Sequence, residues 1–166
     1  MLNRTLDRRA LLGAGAAAAI GATFATFGRS ATATAAETFQ VTRTPAEWRR
    51  RLGPDRYRIL RQAGTEAPFT SPLNKETRRG TFVCAGCALP LFASSAKYDS
   101  GTGWPSFTAA LPNAIRTRRD RAFGMVRTEE HCRRCGGHLG HIYNDGPART
   151  GKRHCINGLS LRFRPA

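Results

Sequence analysis

Lysine is scarce in this sequence: Lys75, Lys97 and Lys152 are the only three among 27 basic residues, and the rest are arginines spread along the chain. Acidic residues are few as well, 11 in 166, which leaves a formal net charge of +16. Dispersed arginine without a basic stripe argues against an electrostatic footprint for nucleic acid, so no such partner is expected. Helix and strand patterns do not alternate over units of roughly 30 residues, which excludes a parallel α/β sheet. Beyond two C-x-x-C pairs there is no internal repeat, and no low-complexity segment follows position 36. Cysteine is absent before Cys84, and the total of five is odd.

What is present begins with a targeting pattern in residues 1–36. Arg4, Arg8 and Arg9 precede a run rich in Ala and Gly from Ala10 to Phe27, and Ala31, Ala33, Ala35 and Ala36 offer A-x-A cleavage sites. A basic start, an apolar middle and a small-residue exit make an export signal. Arg8-Arg9 before a weakly hydrophobic run points to the twin-arginine route, which carries folded proteins. The alternative is an uncleaved membrane anchor, although Gly and Thr dilute a run of marginal length. Cleavage would remove four Arg and one Asp and leave 23 basic and 10 acidic residues, a net +13. The expectation is an exported, periplasmic or otherwise extracytoplasmic domain over residues 37–166, a monomer without stable membrane association after cleavage.

Thr44, Pro45 and Glu47 have the spacing of a capping box with Pro at the first helical position, and Trp48 and Leu52 share one face. Gly53-Pro54 ends that helix and opens a second, lined by Tyr57, Leu60 and Ala63 and stopped by Gly64. Beyond Gly64, Gly and Pro punctuate the chain roughly every eight to twelve residues and alternation replaces the helical period. Strands are predicted over 80–85, 114–118, 123–130, 138–143 and 153–163. The fold class read from this pattern is mainly β and antiparallel, with short N-terminal helices.

Cysteines of an exported protein are by default disulfides. Cys84 with Cys87, and Cys132 with Cys135, instead form two C-x-x-C pairs in Gly-bearing turns, the pattern of two knuckles that complete one tetrahedral zinc site. Two disulfide or redox pairs are the alternative. Four sulfurs leave no open coordination position, so the zinc, one per chain, is expected to be structural. A protein that folds before export would load it on reduced thiols.

Cys155 remains alone, between Arg153 and His154, with Asn157 two residues on. It is either a buried core thiol or a nucleophile whose basic neighbours raise its thiolate fraction. His138 and His141 lie three apart near Asp145, as structural residues, metal ligands or an acid–base pair for that thiol. Gly101 to Phe107 present Trp104 on a Gly/Pro frame, either a plain turn or an apolar wall for a methyl or thioether group.

Five segments carry a further signal: YRILRQAGTEAPFTSPLN (57–74), GTFVCAGC (80–87), YDSGTGWPSF (98–107), EEHCRRCGGHLGHIYNDGP (129–147) and RHCIN (153–157). In this order they strongly resemble the methionine-R-sulfoxide reductase B family over residues 44–163. The resemblance implies two antiparallel β-sheets with zinc at one end and helices alongside. It implies that Cys155 attacks the sulfoxide sulfur of an oxidised methionine residue in a protein or peptide and becomes a sulfenic acid. His138, His141 and Asn157 would bind and protonate the sulfoxide oxygen. Trp104 would pack against its methyl group, and Arg153 would border the substrate.

Three positions depart from the family pattern. Many relatives carry a resolving cysteine where this chain has Thr102, so the sulfenic acid should be reduced by an external thioredoxin-like protein or small thiol. His154 stands for a usual Tyr and Tyr143 for a usual Phe, and both changes are expected to alter little. On a strand His154 faces away from Cys155, which makes it a poor general acid. A zinc-ribbon binding module would explain neither the export signal nor Cys155 with His138, His141 and Asn157; a zinc-bearing chaperone or scaffold without this chemistry is the other alternative, and it would keep its function in Cys155→Ser.

Overall fold

A computed structural model describes residues 37–166, and the expected export signal at 1–36 lies outside the described residues. The capping box forms, with the Glu47 amide donating to Thr44 Oγ1 at 3.3 Å and the Thr44 amide to Glu47 Oε2 at 2.8 Å. The two expected helices are one kinked element, α1 (Pro45–Gln62), broken at Gly53, whose φ of 71° and ψ of 173° are not helical. Pro54 disfavours the helical conformation in the residue before it, and glycine takes the left-handed φ without strain. At the far end Ala63, not Gly64, takes the left-handed turn (φ 51°), while the Gly64 amide closes onto the Arg58 carbonyl at 3.1 Å. Trp48, Leu52, Ile59 and Leu60 form the buried face, and Ala63 is exposed. Among the described residues no helix is long and apolar enough to cross a membrane.

Among the described residues nine strands follow in two antiparallel sheets. The smaller is ordered β2-β1-β9, from β1 (Gly80–Cys84), β2 (Pro90–Ala93) and β9 (Leu161–Pro165). The larger is ordered β3-β4-β8-β7-β6-β5, from β3 (Lys97–Tyr98), β4 (Ser106–Phe107), β5 (Ile115–Asp120), β6 (Arg127–Cys132), β7 (His138–Tyr143) and β8 (Arg153–Ile156). Phe82 and Phe92 of the small sheet close on Phe107 of the large one, with ring centroids 5.0 and 4.3 Å away, and all three are fully buried. Burying three Phe side chains contributes several kcal/mol at about 2–3 each, and it joins the sheets into one core.

The single strand expected over 153–163 is corrected to two strands in different sheets, divided by a 3-10 turn at Gly158–Ser160. The cause lies far away in sequence: the carboxylate of Glu66 accepts the amides of Gly158 and Leu159. The expected strands at 114–118 and 123–130 start and end later, as β5 and β6. β2, β3 and β4 carry no sequence signal, being only two to four residues long.

Candidate active site and metal centre

Cys84 ends β1 and Cys132 ends β6, so the two knuckles come from opposite sheets. The Sγ atoms of Cys84, Cys87, Cys132 and Cys135 lie within 4.8 Å of one another, Cys84 to Cys135 at 3.7 Å and Cys87 to Cys132 at 3.5 Å. A tetrahedral ion at ~2.3 Å from each sulfur separates them by about 3.8 Å, so the four residues fit a metal and are not disulfides. The turns are alike: the Ala88 amide donates to Cys84 O and the Gly136 amide to Cys132 O, each at 2.8 Å. Both residues are left-handed, φ 61° and 67°. The first knuckle therefore turns on Ala88, and Gly86 has no such role. Helix α1 clamps both knuckles, Arg51 donating to Gly86 O at 3.0 Å and Arg61 to Cys135 O at 2.8 Å.

The second knuckle leads through Gly136-Gly137 straight into β7, whose neighbour is β8. Pairing sets His141 opposite Cys155, and Cys155 opposite Ser106 of β4. The strands approach closely because Gly140 has no side chain: a Cβ there would lie 1.9 Å from the Cys155 carbonyl oxygen. Cys155 opens into a cleft of about 150 Å³ walled by Trp104, Arg127, His141, Tyr143 and Asn157. That volume is below the ~300 Å³ of drug-sized sites and suits a single side chain. A larger cavity of about 600 Å³ beside Arg56 and Leu73 has no thiol or imidazole in its wall. The Trp104 indole is held by its N–H donating to Glu66 O at 3.1 Å.

Both histidines are backed by carboxylates that sequence reasoning did not single out. His138 Nδ1 meets Glu129 Oε1 at 2.7 Å, and His141 Nε2 meets Asp120 Oδ2 at 2.9 Å. Burial works to raise the pKa of Glu129, but His138 and Arg118 outweigh it and hold the group at about 2. The Ala122 amide, His141 and Arg127 likewise hold Asp120 at about 2. An ionised carboxylate only accepts, so the facing ring nitrogen of each His carries the proton and the other nitrogen is left for the site. Burial lowers the pKa of His141, and Asp120 opposes it. His138 sits behind, its ring centroid 5.5 Å from that of His141, and its buried Nε2 has no partner among the described residues. Asp145, expected beside the histidines, instead holds Arg153 bidentately at 2.9 and 2.7 Å. Only tertiary packing could reveal Asp120, which is 21 positions from His141.

Other expected residues are more constrained than their motif implies. Asn157 Oδ1 accepts the Glu66 amide at 2.9 Å and its Nδ2 donates to Leu139 O at 3.1 Å, so most of the amide is spent on holding the turn. Arg153 is buried, stacks on Tyr143 at 4.5 Å and lies outside the cleft wall. Arg153 acts in the expected direction and lowers the Cys155 pKa, but burial outweighs it and the net shift is upward. His154 faces away from the thiol, but not into a purely apolar place. Its Nδ1 meets Oε2 of the fully buried Glu130 at 2.8 Å.

The fold thus gathers one thiol, an imidazole and an indole at a cleft, apart from a four-cysteine cluster that fits a metal. Residues 52–165 match the SelR domain family. The chain is 55% identical over 124 residues to a Thiobacillus denitrificans protein named peptide methionine sulfoxide reductase MsrB, covering 74% of this chain and 94% of that one. Proteins of the same name from Agrobacterium fabrum and Methanosarcina barkeri are 51% and 46% identical, over 76% and 75% of this chain and 94% and 88% of their own lengths. The chain belongs to this SelR family of MsrB-type methionine sulfoxide reductases.

Proposed function

We propose that this protein reduces methionine-R-sulfoxide residues in oxidised proteins, with Cys155 as nucleophile. The observation that carries this reading is the meeting of Cys155, His141 and Trp104 in one cleft of side-chain size. Trp104 offers an apolar wall to the methyl group. The Cys155 sulfur attacks the sulfoxide sulfur while the free ring nitrogen of His141, with His138 behind it, takes the thiol proton and passes it to the oxygen. Oxygen passes to Cys155, methionine departs, and a sulfenic acid remains. Burial raises the pKa of Cys155 and the charge of Arg153 works against it, so the proton leaves the thiol as the sulfur attacks.

Regeneration requires two external thiol equivalents, which leave as a disulfide with release of water. The chain has five cysteines, four of them gathered in the metal centre, and Thr102 stands beside Cys155. A thioredoxin-like protein or small thiol is therefore the reductant. Zinc is the ion we assign to Cys84, Cys87, Cys132 and Cys135, since four clustered sulfurs select it over harder cations. It would join the two sheets and supply no step of the reaction. The twin-arginine pattern supports export after folding, with the metal already in place.

The test offers resolved R and S sulfoxide epimers with dithiothreitol to the wild-type chain and Cys155→Ser. Consumption of the R epimer alone, abolished in the variant, is expected; reduction of the S epimer alone overturns the reading. Mass spectrometry after one turnover without reductant should show oxidised Cys155, and a disulfide from Cys155 to a knuckle cysteine would refute the external reductant. Recovery from the exported fraction with zinc bound and four reduced ligands checks the route; four oxidised, zinc-free cysteines refute it.

A further inference from the structure

Trp104 walls two cavities: the Cys155 cleft, and a second of about 180 Å³ whose wall includes Phe69, Tyr98 and Pro105. The second is close in size to the first, which holds about 150 Å³. Phe69 is 72% exposed and takes a left-handed φ of 66°, a conformation that bulky residues rarely adopt. Backbone contacts hold it there. Its amide donates to Gly103 O at 2.7 Å, and Asn74 Nδ2 donates to the same oxygen at 2.9 Å. Gly103 permits this approach, since a Cβ there would lie 2.8 Å from the Phe69 nitrogen. Lys97 Nζ donates to Asn74 O at 2.7 Å and ties β3 to the same turn. With Lys97 so engaged and Asp99 in the wall against Lys75, the surface on offer is mainly that of three aromatic rings and a proline.

We propose that this second cavity is a substrate subsite that takes an aromatic or large aliphatic side chain of the oxidised polypeptide, within two residues of the sulfoxide, and that Phe69 sets the preference. The inference rests on the Cys155 cleft receiving the sulfoxide side chain. In an extended chain residues two apart share a face at a spacing of about 6.6 Å, which is room for one aromatic ring between their side chains. Trp104, common to both walls, is that ring. A polypeptide with its sulfoxide in the cleft therefore brings a nearby side chain over Trp104 into the second cavity. Aromatic side chains there meet Phe69, Tyr98 and Trp104 in edge or offset contact, which favours rings beyond the area they bury. Covering Phe69 also removes from water a large apolar surface that the fold leaves open. The contacts that fix the turn run through the Phe69 backbone, so its side chain is left for this role. Phe69 is thus a specificity-determining residue, remote from the reacting atoms.

The experiment measures kcat/KM of the full-length chain, with dithiothreitol, for short peptides carrying one methionine-R-sulfoxide among serines. In a matched set a single Phe replaces the serine one or two positions away on either side. The best-placed Phe peptide should exceed the all-serine peptide by about tenfold in the wild-type chain. Phe69→Ala should bring that ratio to about one, and Phe69→Tyr, which keeps the ring, should preserve it. Phe69→Lys reads the same loss should Phe69→Ala not fold. A wild-type ratio near one overturns the subsite and leaves the proposed reduction standing. A ratio that survives Phe69→Ala overturns it too, as does a peptide with Glu in place of Phe that is reduced faster still. If no R-sulfoxide peptide is reduced at all, the proposed function falls and the subsite with it.

Discussion

Glu129 is held ionised down to about pH 2 by His138 and Arg118 in spite of its burial, and Asp120 by the Ala122 amide, His141 and Arg127. In the unfolded chain such carboxyls take up protons near pH 4–4.5, so the unfolded state binds more protons below that range. Their contribution to stability is therefore full above about pH 4.5 and lost as pH falls towards 2. Thermal melts across this window should show the melting temperature falling with pH, and Glu129→Gln should flatten part of the slope. Glu130 poses a different residue problem: it is fully buried, its pKa is raised by that burial, and one of its oxygens has no partner. His154 is its single hydrogen-bonding neighbour among the described residues. His154→Ala should cost about 3 kcal/mol in urea denaturation because it strands a buried acid. The apolar pair Glu130→Leu with His154→Phe should cost less than that single change. A cycle showing no coupling between the two positions would refute this account.

At the scale of elements, the active strand pair depends on how close β7 and β8 come. A methyl group at Gly140 would have to share space with the Cys155 carbonyl oxygen. Gly140→Ala should thus push apart the two strands that carry His141 and Cys155. A cost of about 2–3 kcal/mol in stability is expected, together with loss of sulfoxide turnover, read by denaturation and by assay of the folded fraction. A fully active variant would show that the strand spacing is not required. The 3-10 turn after β8 is likewise set by one remote group, the Glu66 carboxylate, which also fixes Asn157 and Trp104 through its own backbone.

For the whole molecule the decisive feature is that the four sulfurs come two from each sheet. A metal there ties together layers otherwise joined by the Phe82, Phe92 and Phe107 core and by α1. Because the second knuckle runs directly into β7, removing the ion should also disorder the approach of His138 and His141 to Cys155. Stripping the metal with a chelator should lower the melting temperature by more than about 10 °C and abolish turnover together. Calorimetry paired with metal analysis checks this; unchanged melting after complete metal loss would overturn it.

The sequence by itself determined much of this protein. Paired C-x-x-C spacing pointed to the four cysteines that the fold gathers within metal-binding distance, turn punctuation with alternation announced antiparallel β structure, and the motifs around Cys155 pointed to the residues that line its cleft. These features are local, so short-range pattern carries them. What only the tertiary structure decided is which distant groups meet. Asp120 and not Asp145 backs His141, Glu130 answers His154, and Glu66 splits the last predicted strand in two. The state of Cys155 was decided there as well. Its basic neighbours are visible in sequence, whereas the burial that outweighs them exists only once two sheets have closed around the strand that carries it.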